Sequence, residues 1–307
     1  MSKIVVVGSY LVDLMTRTPH LPRPGETVLG GPFKMGPGGK GSNQATAAAR
    51  SGSNVTLVTK LGDDLFGQEA IKHFKKEKIN LEHIKIDTNE ETGTALIAVN
   101  EESENIIVVA LGACGTLAAN DVQAAEDEVK EADIVLLQLE TSVEAVEETV
   151  ALATKHNIPV ILNPAPYQEF PKEILKDVNY ITPNEIEAFE LSGVVVQDEL
   201  SAKKAAKKIY GMGVENIIIT MGKHGVYLYT GEGTGELVPA FTVEAIDTTG
   251  AGDAFNGGFA HALSIGYSLK EAIRFSNAVA ALSVTRAGTA PAMPYKNEVE
   301  AFLEQQK

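Results

Sequence analysis

The tightest constraint on this chain is a repeated alternation of short β-branched runs with longer amphipathic stretches. Strand-type runs occur at 4–8, 55–59, 83–86, 134–138, 159–162, 178–182 and 216–220, and helical patterns separate them at 43–50, 65–78, 121–131, 143–156, after Pro183 and at 201–210. Strands joined through helices run parallel, and a parallel sheet needs helices over both faces. The alternation therefore predicts an α/β fold around a mostly parallel central sheet. A hairpin at 225–229 and 236–239 follows, and the rest is mostly helical, at 253–264, 269–286 and 297–305. A length of 307 residues allows one large domain with a small appendage, or two domains.

Two stretches break the alternation. Residues 9–37 are interrupted by Pro19, Pro22, Pro24, Gly25, Gly30 and Gly31, with edge-strand patterns at 27–29 and 32–35. Residues 92–111 read as a hairpin, 94–99 against 105–110 around a polar turn at 100–104. Together these two insertions predict a small separate sheet. The Lys/Ala stretch 202–208 reads as a solvated helix face.

Composition narrows the function. A net charge of −15 argues against nucleic acid as a partner. There is no apolar run long enough to span a membrane. The first strand is too short for a signal peptide, so the expected location is cytoplasmic. Cys114 is the one cysteine, which excludes an internal disulfide and suits a reducing compartment; its small neighbours Ala113 and Gly115 read as packing. An acidic protein that binds an anion must build its positive site from backbone N–H groups, a helix N-terminus or a metal ion. That directs attention to glycine-rich turns.

Gly36-Pro37-Gly38-Gly39-Lys40-Gly41 matches the dinucleotide pattern GxGxxG, with Asp63 22 residues beyond Gly41. Such a fingerprint belongs directly after the first strand, however, and here a proline-broken segment intervenes. A phosphate-binding P-loop fails as well, because Gly39-Lys40 is followed by Gly41 rather than Ser or Thr. Two readings stay open: a turn that lets a helix start close to a sheet, or bare backbone beside which Lys40 and Asn43 meet a polar ligand. The second turn, Asp247-Thr248-Thr249-Gly250-Ala251-Gly252-Asp253, opens a helix. Its small residues can present N–H groups to charge developing in phosphoryl transfer, and Asp253 is placed either to accept a hydroxyl proton or to cap the helix. In Thr182-Pro183-Asn184-Glu185-Ile186-Glu187, Asn184 and Glu187 share a helix face, as water-mediated magnesium ligands or as a capping box.

Taken together these motifs resemble the ribokinase family of carbohydrate kinases, of the phosphofructokinase-B type. Residues 38–45, with Gly52 and Gly62, resemble its N-terminal signature, and 247–253 continuing to Gly257-Gly258-Phe259-Ala260 its C-terminal one. The likeness runs over nearly the whole chain, through Gln138-Leu139-Glu140, Asn163-Pro164-Ala165-Pro166, 182–187 and Thr220-Met221-Gly222. It implies a single ribokinase-like three-layer α/β domain over 1–307, with a β-lid formed by the insertions 9–37 and 92–111. It also implies ATP-dependent phosphorylation of the 5-hydroxyl of a pentose. Asp253 would be the base, with Gly250, Ala251 and Gly252 as the anion hole. Leu11, Asp13, Gly39, Lys40, Asn43, Glu140 and Asp253 would face the sugar. Asn184, Thr220, Gly222, Gly252 and Asn277 would border ATP, and Glu187 would hold Mg2+ through water. An activating K+ would lie at Asp247 and the backbone of Thr249, Ser283, Arg286 and Gly288. Members often pair through the lid, so a homodimer is expected.

Two positions depart from the pattern. Leu11 stands where ribokinases usually carry asparagine, so a sugar hydroxyl there would lack a partner, at a cost of roughly 1–3 kcal/mol. This resembles the deoxyribokinase branch and favours 2-deoxyribose over ribose. Ala292 stands where many ribokinases have a serine near the potassium site. A kinase for a phosphosugar or nucleoside, with Arg17, Arg23 and Lys34 as candidate lid cations, is an alternative, as are a non-catalytic sugar sensor and a dehydrogenase.

Overall fold

The computed structural model describes residues 2–102, 104–231 and 235–306. The turn expected at 100–104 includes Ser103, which lies outside them. In chain order the strands are β1 (Lys3–Val7), β2 (Leu11–Arg17), β3 (Phe33–Gly38), β4 (Asn54–Gly62), β5 (Ile84–Asp87), β6 (Thr92–Val99), β7 (Asn105–Gly112), β8 (Ile134–Gln138), β9 (Val160–Asn163), β10 (Tyr180–Ile181), β11 (Asn216–Thr220), β12 (Val226–Thr230) and β13 (Gly235–Val238). The helices are α1 (Lys40–Ser51), α2 (Leu65–Lys76), α3 (Ala119–Gln123), α4 (Glu126–Lys130), α5 (Val143–Lys155), α6 (Glu185–Ser192), α7 (Glu199–Tyr210), α8 (Ala251–Ser264), α9 (Leu269–Ser283) and α10 (Lys296–Gln305).

The large sheet runs β13-β12-β11-β10-β9-β8-β1-β4-β5. It is parallel except for the β11-β12-β13 hairpins. Successive side chains of a strand point to opposite faces, and here both faces are buried. Val5 and Val7 of β1 join Val135 and Leu137 of β8 in one apolar cluster, with residues of α3 to α7. Ile4 and Val6 join Ile134 and Leu136 in the other, with residues of α1, α2, α8 and α9. That is the three-layer arrangement the alternation predicts. On α7 the alanines at 202, 205 and 206 are buried and Lys204, Lys207 and Lys208 face solvent, as the charge pattern requires.

A second sheet, β3-β2-β6-β7, is built from the two irregular stretches. Its central pair β2 and β6 is parallel, with β3 and β7 antiparallel on the edges. The strand expected at 27–29 does not form; Leu29 is fully exposed and the segment has no sheet partner. The pairing partner of β3 is instead β2, whose polar residues Asp13 and Thr16 hide its strand pattern. The helix expected at 121–131 is two short helices, α3 and α4, that together bury Val122, Ala125 and Val129. Helix α1 starts at Lys40, three residues before its alanine-rich run, because Gly39 makes the entry turn at φ 82°. Helix α9 stops at Ser283, and residues beyond it turn toward the loop around Asp247.

Candidate active site

In an open parallel sheet the chain leaves a crevice at the carboxyl ends of the strands where strand order reverses. Here the reversal lies between β1 and β8. Ser9 follows β1 and Glu140 follows β8, and the Ser9 hydroxyl donates to Glu140 Oε2 at 2.5 Å. The same oxygen accepts the Lys40 amide at 2.7 Å, which fixes the start of α1 over the crevice. A Cβ on Gly39 would come within 2.6 Å of the Leu11 nitrogen, and one on Gly41 within 2.5 Å of the Ser9 nitrogen. The glycine run is thus required by close packing of the α1 entry on the turn after β1. The same packing delivers Lys40 and Asn43 to the crevice.

Asp253 sits in the first turn of α8, almost fully buried. Its Oδ2 accepts from Asn43 Nδ2 at 2.9 Å and its Oδ1 from Gln44 Nε2 at 3.0 Å. It makes no hydrogen bond to the helix amides, so the capping reading of Asp253 fails. The N-cap is Gly250, left-handed at φ 77°, with no side-chain cap. The Ala251 amide turns back to the Thr248 carbonyl at 3.2 Å. The amides of Gly252 and Asp253 have no partner among the described residues, and a Cβ on Gly252 would meet open space. Of the three residues expected to form the anion hole, Ala251 has its amide engaged in the turn, while Gly250 and Gly252 have free N–H groups among the described residues, as does Asp253. Asn43 Oδ1 is also buried without a partner, and since its Nδ2 must face the carboxylate, this oxygen is left for an incoming donor.

Charge is concentrated here. Burial pushes Asp13 up to about 6, with the carboxylates of Glu140, Asp253 and Asp247 adding to it against a hydrogen bond from the Thr289 hydroxyl. The Asp13 carboxyl lies against Gly38, where a Cβ would be only 2.2 Å from Oδ1. Burial also raises Glu140. For Lys40, burial works against the charge, but Asp253, Glu140 and Glu187 outweigh it and hold the ammonium above the ordinary lysine value. Leu11 is fully buried but, unlike its neighbours Tyr10 and Val12, belongs to neither core cluster; its Cδ2 lies against Gly93.

Asn184 and Glu187 form the capping box. Asn184 Oδ1 accepts from the amides of Ile186 and Glu187, each at 2.9 Å, and Glu187 Oε2 accepts the Asn184 amide at 2.9 Å. Burial pushes Glu187 up to about 7, with Asp253 and Glu185 adding and the Asn184 amide and Lys40 opposing. A cation would restore its charge, so the pair suits a hydrated magnesium ion. Thr220 adjoins Asn184 through an isolated bridge, and Gly222, at φ 52°, turns the chain just beyond it. Asn277 stands apart, donating to the Pro239 carbonyl at 3.1 Å.

Asp247 accepts the amides of Thr249 at 3.0 Å and Gly288 at 2.9 Å, and although burial opposes it these bonds hold its carboxyl below the ordinary range. The loop around Asp247 and the turn after α9 are therefore brought together. The Ser283 hydroxyl is spent on Ala280 and the Arg286 guanidinium on Glu298, so only their backbones are available to a cation. Ala292 is buried nearby and offers no oxygen from its side chain. Among the described residues, the one trio of converging metal-type side chains is Glu82, His83 and Glu128, near Thr56 at the opposite end of the sheet.

Several residues around the site were given no role by the sequence reading, although Gln44, Gln138, Asn163 and Thr182 lie within its motifs. Thr289 joins Asp13 and the Pro37 carbonyl. Gln44, Gln138, Asn163, Thr182 and Asn256 form a buried chain behind Asp253. The signal available was three amide side chains at strand ends and in the α1 signature, polar residues where the pattern predicts core.

A buried carboxylate beside open amides, at the carboxyl edge of a doubly covered α/β sheet, suits phosphoryl transfer. The chain belongs to the pfkB family of carbohydrate kinases, whose pattern matches residues 1–296. It is 42% identical to the ribokinase of Haemophilus influenzae and 38% identical to the deoxyribokinase of Salmonella typhi, covering 98% of each chain in both cases. The structure of Arabidopsis thaliana ribokinase complexed with ribose and ATP is similar at a TM-score of 0.91, with 29% identity over 99% of both chains.

Proposed function

We propose that the enzyme transfers the γ-phosphoryl group of ATP to the 5-hydroxyl of a pentose. The observation that carries this reading is Asp253: a buried carboxylate held by two side-chain amides, beside unpartnered N–H groups at a helix N-terminus. Asp253 takes the proton of the attacking hydroxyl while the Gly252 and Asp253 amides stabilise the charge on the moving phosphoryl group. Asp13 and Asn43 Oδ1 accept and orient sugar hydroxyls; Lys40 and Glu140 complete that wall. Asn184, Thr220 and Gly222 border the phosphates, and Asn277 the base. Asn184 and Glu187 hold hydrated Mg2+, which neutralises phosphate charge when bound. Asp247, with the backbone of Thr249, Ser283, Arg286 and Gly288, fits K+, a weakly hydrated cation that needs oxygen donors more than side-chain charge.

The relatives include ribokinases and a deoxyribokinase, so ribose is the first substrate to test. Leu11 supports 2-deoxyribose as a second reading, because a hydroxyl buried against it would go unpaired. The test is ADP release with ATP, magnesium and potassium against ribose, 2-deoxyribose, fructose, fructose 6-phosphate and adenosine. Turnover confined to the last three would overturn the pentose reading. Leu11→Asn should raise the ribose to 2-deoxyribose ratio of kcat/KM; an unchanged ratio removes Leu11 from the argument.

The β2-β3-β6-β7 sheet is proposed as a lid on one domain, closing over the sugar to keep out water. Phe33, Met35, Leu96, Ile106 and Val108 share the face of this sheet opposite Asp13 and are exposed and apolar, which supports pairing of two subunits through it. Light scattering at micromolar concentration should give a dimer, and Val108→Lys should give a monomer.

A further inference from the structure

The amide chain behind Asp253 is buried and carries an unusual cost. Gln44 is fully buried on α1. Its Nε2 donates to Asp253 Oδ1 and to Asn163 Oδ1, both at 3.0 Å, and its Oε1 accepts from Gln138 Nε2 at 2.7 Å. Asn163 is itself held by donation to the Thr182 carbonyl at 3.1 Å, so its oxygen must face Gln44. A flipped Gln44 amide would set its oxygen against two acceptors and its nitrogen against a donor. Only one orientation survives. Gln138 maintains it while leaving its own Oε1 buried and unpartnered, against Gly8, where any side chain would collide with it. Nothing in core packing calls for an orphaned oxygen at the end of β8; an apolar residue of similar size would fit without that penalty.

We propose that Gln44 is a positioning residue for Asp253, and that Gln138 acts through it by fixing which end of the Gln44 amide meets the carboxylate. The inference rests on the reading of Asp253 as the base. Gln44 and Asn43 each hold one carboxylate oxygen, so the rotamer is set before substrate arrives.

The experiment is steady-state kinetics on the full chain for Gln44→Met, Gln138→Met and the double variant, with Asp253→Asn in parallel. Gln44→Met should lower kcat by about 10- to 100-fold, with sugar KM within about 3-fold. Gln138→Met should do the same more weakly, and the double variant should be no worse than Gln44→Met alone. A Gln44→Met enzyme with kcat like the parent, or one that loses sugar affinity as much as kcat, overturns the proposal, as do additive effects. If Gln44→Met does not fold, Gln138→Met carries the test, and a parental kcat there overturns it. Should Asp253→Asn keep its turnover, the base reading itself fails; should it lose turnover while Gln44→Met does not, only the positioning role falls.

Discussion

Two helix N-termini meet in this site, and they are finished in opposite ways. Helix α6 closes its own first turn: Asn184 and Glu187 satisfy one another and the amides of Ile186 and Glu187. Helix α8 has a glycine at its cap position and leaves the Gly252 and Asp253 amides without partners. An unsatisfied helix start is ordinarily a loss of about 1 kcal/mol that one serine or aspartate would recover. Asp253 is in place to help and instead points at Asn43 and Gln44. The difference supports the proposed division of labour, in which α6 supplies side chains to a ligand while α8 supplies its backbone and its dipole.

The largest effect expected from breaking that contrast is at α8. Asp253→Asn should cut turnover by about 10²–10⁴-fold while calorimetry still detects sugar binding; near-normal turnover would make α8 merely an uncapped helix. Gly252→Ala separates stability from function. Its Cβ would touch nothing within 4 Å in the protein, and alanine favours the helix by about 0.5–1 kcal/mol. Thermal melting should therefore stay level or rise while kcat falls roughly tenfold, since the methyl group occupies the space of the transferred group. A fall in melting temperature with unchanged kcat would reverse the assignment.

The pH dependence tests the acid cluster between the two helices. Asp13, raised to about 6, is ionised above that pH and accepts sugar hydroxyls best there, so sugar KM should rise as pH falls through about 6. Because its folded value lies above the unfolded one, the folded chain holds this proton more tightly, and the unliganded fold gains stability as pH drops through 6. Asp13→Asn should flatten both trends; a pH-independent KM in the parent would remove Asp13 from sugar binding. The smallest effect belongs to α6. Asn184→Ala should cost about 1 kcal/mol of stability, and added Mg2+ should recover part of any loss in kcat. Melting that matches the parent would mean the capping box is dispensable.

The same two helix starts show how far the sequence could be read. Residues 247–253 were visible as a glycine turn beside an acid, and the structure keeps them at the α8 entry, but the orientation of each amide was not visible. That is why Ala251 was expected among the free donors when it donates to Thr248. Asn184 and Glu187 were legible as a pair because three residues on a helix share a face. Thr289 was not legible at all: it lies 276 residues from Asp13 and meets it only because the turn after α9 reaches the lid strand β2. Strand β2 was missed for a related reason, since its inner face serves a polar pocket instead of an apolar core.

The sequence by itself determined the layered sheet, since β-branched runs separated by amphipathic stretches have few other ways to bury both faces, and it marked the two glycine turns where backbone must come close. Only the tertiary structure decided how Asp253 is held. Whether a carboxylate in a first helical turn caps its helix or turns away from it depends on which partners reach it, and those partners, Asn43 and Gln44, come from a helix more than 200 residues away in the chain.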